Sequence, residues 1–174
     1  MGETLALAVL RWMSGLPGEL TMLLISALPL TELRASIPVA MTLMADKWQW
    51  PWWKVYLLAV AGNMLPVPII LWFLGPVSGW LSRWKLFDRF FKWLFERTRR
   101  RAGANVQKYR ALGLAIFVAI PLPVTGAWTG AMAAFLFGIP RRLSLPSIAL
   151  GVCLAGAVVM LIVTGVFAAL GFLL

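Results

Sequence analysis

The apolar runs of this chain come in two lengths, and the shorter ones constrain it most. Leu20 to Leu28 and Leu112 to Ile120 are each predominantly apolar and then stop at a proline, Pro29 or Pro121. A helix rises about 1.5 Å per residue, so each run covers roughly half of a ~30 Å hydrocarbon core. Each leads through a polar turn into a second short apolar run. Half-length segments meeting at a turn read as re-entrant hairpins, residues 20–44 and 112–137, because irregular backbone at membrane depth survives only inside protein. One full span kinked at its prolines is the rival reading of the first hairpin.

Two longer runs, 55–75 and 146–173, have the length of full spans. With 61% hydrophobic and 13% charged residues, the chain is far from the balance of a soluble domain. The reading is a single, all-α polytopic membrane domain. Residues 1–17 form an N-terminal helix that ends at Gly15-Leu16-Pro17-Gly18. It lacks a positive n-region, so a removed signal peptide is not expected. The single Cys153 excludes an internal disulfide, and the absence of histidine removes the commonest metal ligand and the usual general base. No metal and no cofactor is expected.

The net charge of +10 is concentrated rather than spread: ten of the sixteen basic residues fall between Arg83 and Arg110. That is the positive-inside pattern, which assigns linker 76–110 to the cytoplasmic side of a bacterial inner membrane and argues against nucleic acid as the partner. Within the linker, 76–108, Trp80, Trp84, Phe87 and Phe91 recur at helical spacing with Arg89 and Lys92 among them. This is an interfacial amphipathic helix suited to anionic lipid. Trp48, Trp50, Trp52 and Trp53, beside Asp46, Lys47 and Lys54, make a second interfacial belt.

The chain also repeats itself. Ala27-Leu28-Pro29-Leu30 matches Ala119-Ile120-Pro121-Leu122, and each stretch precedes a polar turn, a small-residue run, an interfacial proline and a full span. Gly62 follows Pro51 at the same distance as Gly151 follows Pro140. The units are residues 18–75 and 109–174, each a hairpin plus one span. A hairpin returns to its own side while a span crosses, so the second unit enters from the opposite face. Inverted repeats with broken helices meeting near the midplane are a secondary-transporter architecture.

Of six acids, only Glu32 lies between membrane-grade apolar stretches, with Arg34 two residues on. An ionisable group at that depth marks a functional site by default. Burial and a neighbouring arginine act on a carboxyl in opposite senses, which suits Glu32 to proton transfer near neutral pH. Thr31, Ser36, Thr125 and Thr129 are the candidates to line a polar path. Pro29, Pro38, Pro121, Pro123, Gly126 and Gly130 are the candidates to hold unwound backbone. Asn63 is the polar residue of the first span. A buried ion pair that only fixes the turn is the competing reading of Glu32 and Arg34.

Glu32-Leu33-Arg34-Ala35-Ser36-Ile37-Pro38 and Ala119-Ile120-Pro121-Leu122-Pro123-Val124-Thr125-Gly126-Ala127-Trp128-Thr129-Gly130-Ala131 resemble the two signature stretches of the small multidrug export family, which is similar to the wider DedA superfamily of bacterial inner-membrane proteins. The resemblance covers most of residues 20–170. It implies opposed re-entrant hairpins packed with transmembrane helices, and proton-linked transport of a small amphipathic, drug-like or lipid-linked substrate. It equally implies flipping of a lipid carrier of the undecaprenyl-phosphate kind. By position, Glu32 is the membrane-embedded acid of the first hairpin. The arginines that DedA proteins carry three residues either side of the second hairpin's proline are valines here, Val118 and Val124, leaving Arg34 as the candidate for that charge.

Two other classes compete. A non-transporting membrane-organising protein would act through residues 80–94. A membrane enzyme would need a carboxylate pair, a metal cluster, a Ser/His/Asp set or a phosphate loop, and none has the required spacing. Gly151, Gly156 and Gly165 on the last span permit close helix contact, within one subunit or in a homo-oligomer.

Overall fold

The computed structural model describes residues 16–81, 104–121 and 126–173, and these form helices without a strand. In chain order they are α1 (Gly18–Ala27), α2 (Glu32–Met41), α3 (Ala45–Trp48), α4 (Trp52–Met64), α5 (Pro66–Leu81), α6 (Ala104–Ala119), α7 (Ala127–Leu136) and α8 (Arg141–Leu173). Nearly all of the expected N-terminal helix lies outside the described residues. So do Trp84, Phe87, Arg89, Phe91 and Lys92 of the expected amphipathic helix, and Pro123 and Thr125 of the second turn; Trp80 falls within α5.

The two half-length runs are helical and stop where expected, α1 at Ala27 and α6 at Ala119, but α6 starts at Ala104, before the expected Leu112 and inside the expected linker. The first turn is displaced from its expected place. It is Leu28–Thr31, and α2 already begins at Glu32, rather than after a non-helical Thr31–Arg34. The Glu32 N–H donates to the Leu28 carbonyl at 3.0 Å and the Ala35 N–H to Thr31 at 3.0 Å. Those bonds close helical geometry around the polar residues. Pro38 lies inside α2 rather than in unwound backbone; its missing N–H costs only the bond to the Arg34 carbonyl.

The first expected span is two helices. Pro66 has no N–H for the Gly62 carbonyl, which accepts instead from Leu65 at 3.2 Å, and the chain restarts as α5. The apolar stretch nonetheless runs on from Trp52 to Leu74, 23 residues whose most apolar 18 have a mean hydropathy of 2.0. The last span begins at Arg141, five residues before its expected start, because Pro146 is absorbed within α8. The most apolar 18 residues of its stretch Arg141–Gly165 have a mean hydropathy of 2.5. Both stretches are long and apolar enough to cross a bilayer.

Packing pairs the elements in a matching way. Helix α1 lies along α4 and α6 along α8, while α2 also packs on α8 and α7 on α5. Two glycines make the first pair of contacts. A Cβ on Gly62 would stand 2.5 Å from the Leu23 carbonyl oxygen and 2.8 Å from Ser26 Cβ; one on Gly151 would stand 2.7 Å from the Ala115 oxygen and 2.6 Å from Val118 Cβ. Small residues that let backbones touch are how helices associate where burial from water gives no drive. Ala127, Ala131 and Ala134 do the same on α7, all fully buried.

The core is centred on Met22, Leu33, Ile37, Val67, Ile148 and Val152. The outside is apolar as well: Trp72 is 69%, Phe73 64% and Leu161 72% exposed. A chain with large apolar side chains both within and without is solvated by lipid. At one end the interfacial belt closes on itself. Trp48 and Trp50 stack at 4.5 Å, Lys54 lies 4.3 Å over the Trp50 ring, and its Nζ meets Glu19 at 2.6 Å. That hydrogen bond to Lys54 holds the exposed Glu19 carboxyl below its ordinary pKa.

Candidate functional site

Four helices end near one point. α1 and α6 bring their carbonyl ends, and α2 and α7 their N–H ends. Each end carries orphan backbone groups and a partial charge. Where such groups are buried in protein away from water, side chains must satisfy them.

Glu32 is the first residue of α2, where an acid suits the positive end of its own helix. Its carboxylate also accepts the backbone N–H of Trp128, the second residue of α7. One carboxylate therefore serves two helix N-termini, one from each hairpin. It lies against Gly126, immediately before α7, where a Cβ would fall on the carboxyl itself. Glu32 is 6% exposed. Its φ of 45° is left-handed, a conformation that typically costs a non-glycine residue about 1–3 kcal/mol and that gathers at functional sites.

The carbonyl ends are met in the same crossed way. Arg34, on the first turn of α2, donates from Nη2 to the Ile120 carbonyl just past α6, at 3.4 Å. Trp128, on the first turn of α7, donates from Nε1 to the Ala27 carbonyl, the last of α1, at 2.9 Å. Each hairpin caps the broken ends of the other. Arg34 also interacts electrostatically with Glu32.

Glu32, Arg34, Gly126 and Asn63 enclose one small space, with Leu33, Val118, Val152 and Ala155 completing its wall. The space is closed down too far to admit a water molecule. Asn63 is 1% exposed, and its Oδ1 has no hydrogen-bond partner. A buried carbonyl oxygen without a donor costs about 1–3 kcal/mol, so this atom is poised to accept a proton donor.

Of the hydroxyls expected to line a polar path, those of Ser36, Thr31 and Thr129 bond within their own hairpins. Ser36 bonds to Ser26 at 2.7 Å, both fully buried. The Thr31 hydroxyl donates to the Ile25 carbonyl, folding the turn back onto α1. The Thr129 hydroxyl accepts the Gly126 N–H at 2.9 Å and so opens α7. These three are spent on local structure, as short hydroxyl side chains commonly are. Gly130 lies inside α7, where a Cβ would stand 2.5 Å from Val118 Cγ2, so it is a packing glycine rather than part of unwound backbone. Pro29 sits in the first turn and Pro121 just beyond α6, as expected.

Trp128 was not singled out from the sequence. Its signal was there in the repeat: it stands early in the second half of its hairpin, as Arg34 does in the first. A residue aligned with a charged cap is itself a candidate cap.

A family model described as "putative small multi-drug export protein" matches residues 32–158. The match covers well over half of the 174 residues. The chain belongs to this family. The matched region opens on Glu32 and takes in all the capping residues of the crossed site except Ala27. No curated protein and no solved structure matches. The family and the two apolar spans together make this a membrane protein of an export family. Among the described residues no group of three or more His, Cys, Asp or Glu could hold a metal ion. Chemically, the crossed site can hold or release one proton, and with it one bond between the hairpins.

Proposed function

We propose that the protein is a proton-coupled exporter in which two re-entrant hairpins, entering from opposite faces of the membrane, are clasped by Glu32. The observation that carries this reading is the Glu32 carboxylate on the Trp128 N–H, a charge-assisted bond joining one hairpin to the other. Ionised, Glu32 closes both helix N-termini and balances Arg34. Protonated, it loses most of its attraction for α7 and turns into a hydrogen-bond donor. Asn63 Oδ1, in the same wall and without a partner, is the acceptor for that proton. Protonation thus exchanges a bond between hairpins for a bond to the first span.

The opposed-hairpin topology is supported by the paired packing of α1 on α4 and α6 on α8 through Gly62 and Gly151, and by the crossed caps. The closed space between the tips corresponds to an occluded state. Opening it to either face alternately would carry a small amphipathic or lipid-linked substrate past the midplane. The basic linker keeps the second hairpin on the cytoplasmic side.

The test is transport by purified protein in liposomes with an imposed pH gradient, using candidate drugs and a labelled polyprenyl phosphate. Glu32→Gln is expected to fold, to bind lipid and to lose pH-driven transport. Undiminished transport in that variant overturns the proposal. A variant that fails to fold, with Glu32→Asp likewise unfolded, assigns the carboxylate to structure alone and overturns it equally.

A further inference from the structure

The repeat has one place where its halves differ in kind. In the register set by Ala27 with Ala119, Gly18 corresponds to Arg110 and Thr21 to Gly113. In the first half the space over the start of α1 is plugged by the protein itself. A Cβ on Gly18 would stand 2.8 Å from Trp48 Nε1 and 2.9 Å from Trp50 Cζ2, and Thr21 is buried. In the second half no described residue fills it. A Cβ on Gly113 meets no atom within 4 Å. A groove of about 300 Å³ runs there between α6 and α7, walled by Leu114, Phe117, Ala133 and Phe137.

The mouth of this groove is cationic. Arg110 lines it, with Nη1 donating to the Phe137 carbonyl at 3.3 Å. Arg141 and Arg142 follow Ile139, another wall residue, by two and three positions and are both exposed. The depth is apolar and the rim positive. Its volume is at the small end of ligand pockets. We infer that the α6–α7 groove is a binding site for an anionic phospholipid, one acyl chain lying over Gly113 and the phosphate meeting Arg110 and the Arg141-Arg142 pair. The complementarity is specific to a ligand with both parts. A zwitterionic lipid fills the groove but balances the arginines poorly, and a free phosphate reaches the arginines but leaves the apolar wall bare. This site is separate from the Glu32 clasp and does not depend on transport.

The experiment is native mass spectrometry of the purified full chain in neutral detergent, titrated with phosphatidylglycerol, phosphatidylcholine of the same chains, and glycerol 3-phosphate. Wild type is expected to retain one phosphatidylglycerol in preference to the other two. Gly113→Trp places in α6 the kind of plug that Trp48 supplies to α1. It should abolish that retention while leaving lipid-free thermal unfolding unchanged, because the site is open. Arg110→Gln should weaken phosphatidylglycerol roughly fivefold, the effect of one cation near a membrane surface, and leave phosphatidylcholine unchanged. Equal retention of both lipids by wild type, full retention in Gly113→Trp, or complete competition by glycerol 3-phosphate each overturns the inference. Should Gly113→Trp not fold, Arg110→Gln decides: unchanged preference for the anionic lipid refutes the site.

Discussion

Replacing Gly126 by alanine is the smallest change that tests the crossed clasp. The backbone there is extended, with φ 171°, so alanine can adopt it without conformational penalty. The whole effect is therefore contact. The new Cβ falls on the Glu32 carboxyl, which lies 6% exposed among Leu33, Val118 and Val152 and has little room to retreat. If Glu32 swings away, the bond to the Trp128 N–H goes; a hydrogen bond to a charged group contributes about 1.5–3 kcal/mol. If the hairpins shift instead, overpacking costs about 1–3 kcal/mol. These are alternatives rather than a sum, so Gly126→Ala should lose roughly 1.5–3 kcal/mol. The assay is reversible unfolding in mixed micelles, run as a double-mutant cycle with Glu32→Ala. Without the carboxyl there is neither clash nor bond to lose, and the Gly126→Ala cost should fall below about 0.5 kcal/mol. An equal cost in both backgrounds would refute the clasp.

Four further outcomes follow from the same geometry. Glu32→Gln should retain its fold and lose pH-driven transport in liposomes. Gly62→Ala and Gly151→Ala should each destabilise by about 1–3 kcal/mol, since the added carbon meets backbone as well as side chain; Gly165→Ala, into open space on the same helix as Gly151, should instead stabilise by about 0.5–1 kcal/mol. Trp128→Phe keeps the ring but leaves the Ala27 carbonyl without its donor, so unfolding free energy should drop by about 1 kcal/mol, against no change if the indole N–H is idle. The Glu19–Lys54 tie has a definite pH sense. Glu19 is depressed in the folded protein, so its contribution is present above the ordinary glutamate value and disappears as pH falls through the lower folded value. Lys54→Met should remove that acid-side dependence; being exposed, the pair is screened, and added salt should shrink it too.

The membrane class, the two half-length runs with their stopping points and the isolation of Glu32 among apolar stretches were legible because each is a property of local composition and length. A run too short to cross cannot be lengthened by tertiary contacts, and an acid between apolar stretches must find partners somewhere. The glycine spacing after Pro51 and Pro140 was legible for a similar reason, since it records where one helix touches another at a fixed number of turns.

Which partners Glu32 finds was decided only by the tertiary structure. The sequence put Arg34 beside it and suggested a local pair in a polar turn. The folded chain makes Glu32 the start of a helix and turns its carboxylate to α7, nearly a hundred residues away, because the four helix ends are closed only in part by residues of their own hairpin. Thr31, Ser36 and Thr129 read in the sequence as lining a path, whereas in the folded chain each hydroxyl bonds within its own hairpin, a distinction that depends on where the hydroxyl points. Length and polarity are written along the chain. The crossing of the two hairpins, which converts one misplaced acid into a clasp, exists only when both halves are folded against each other.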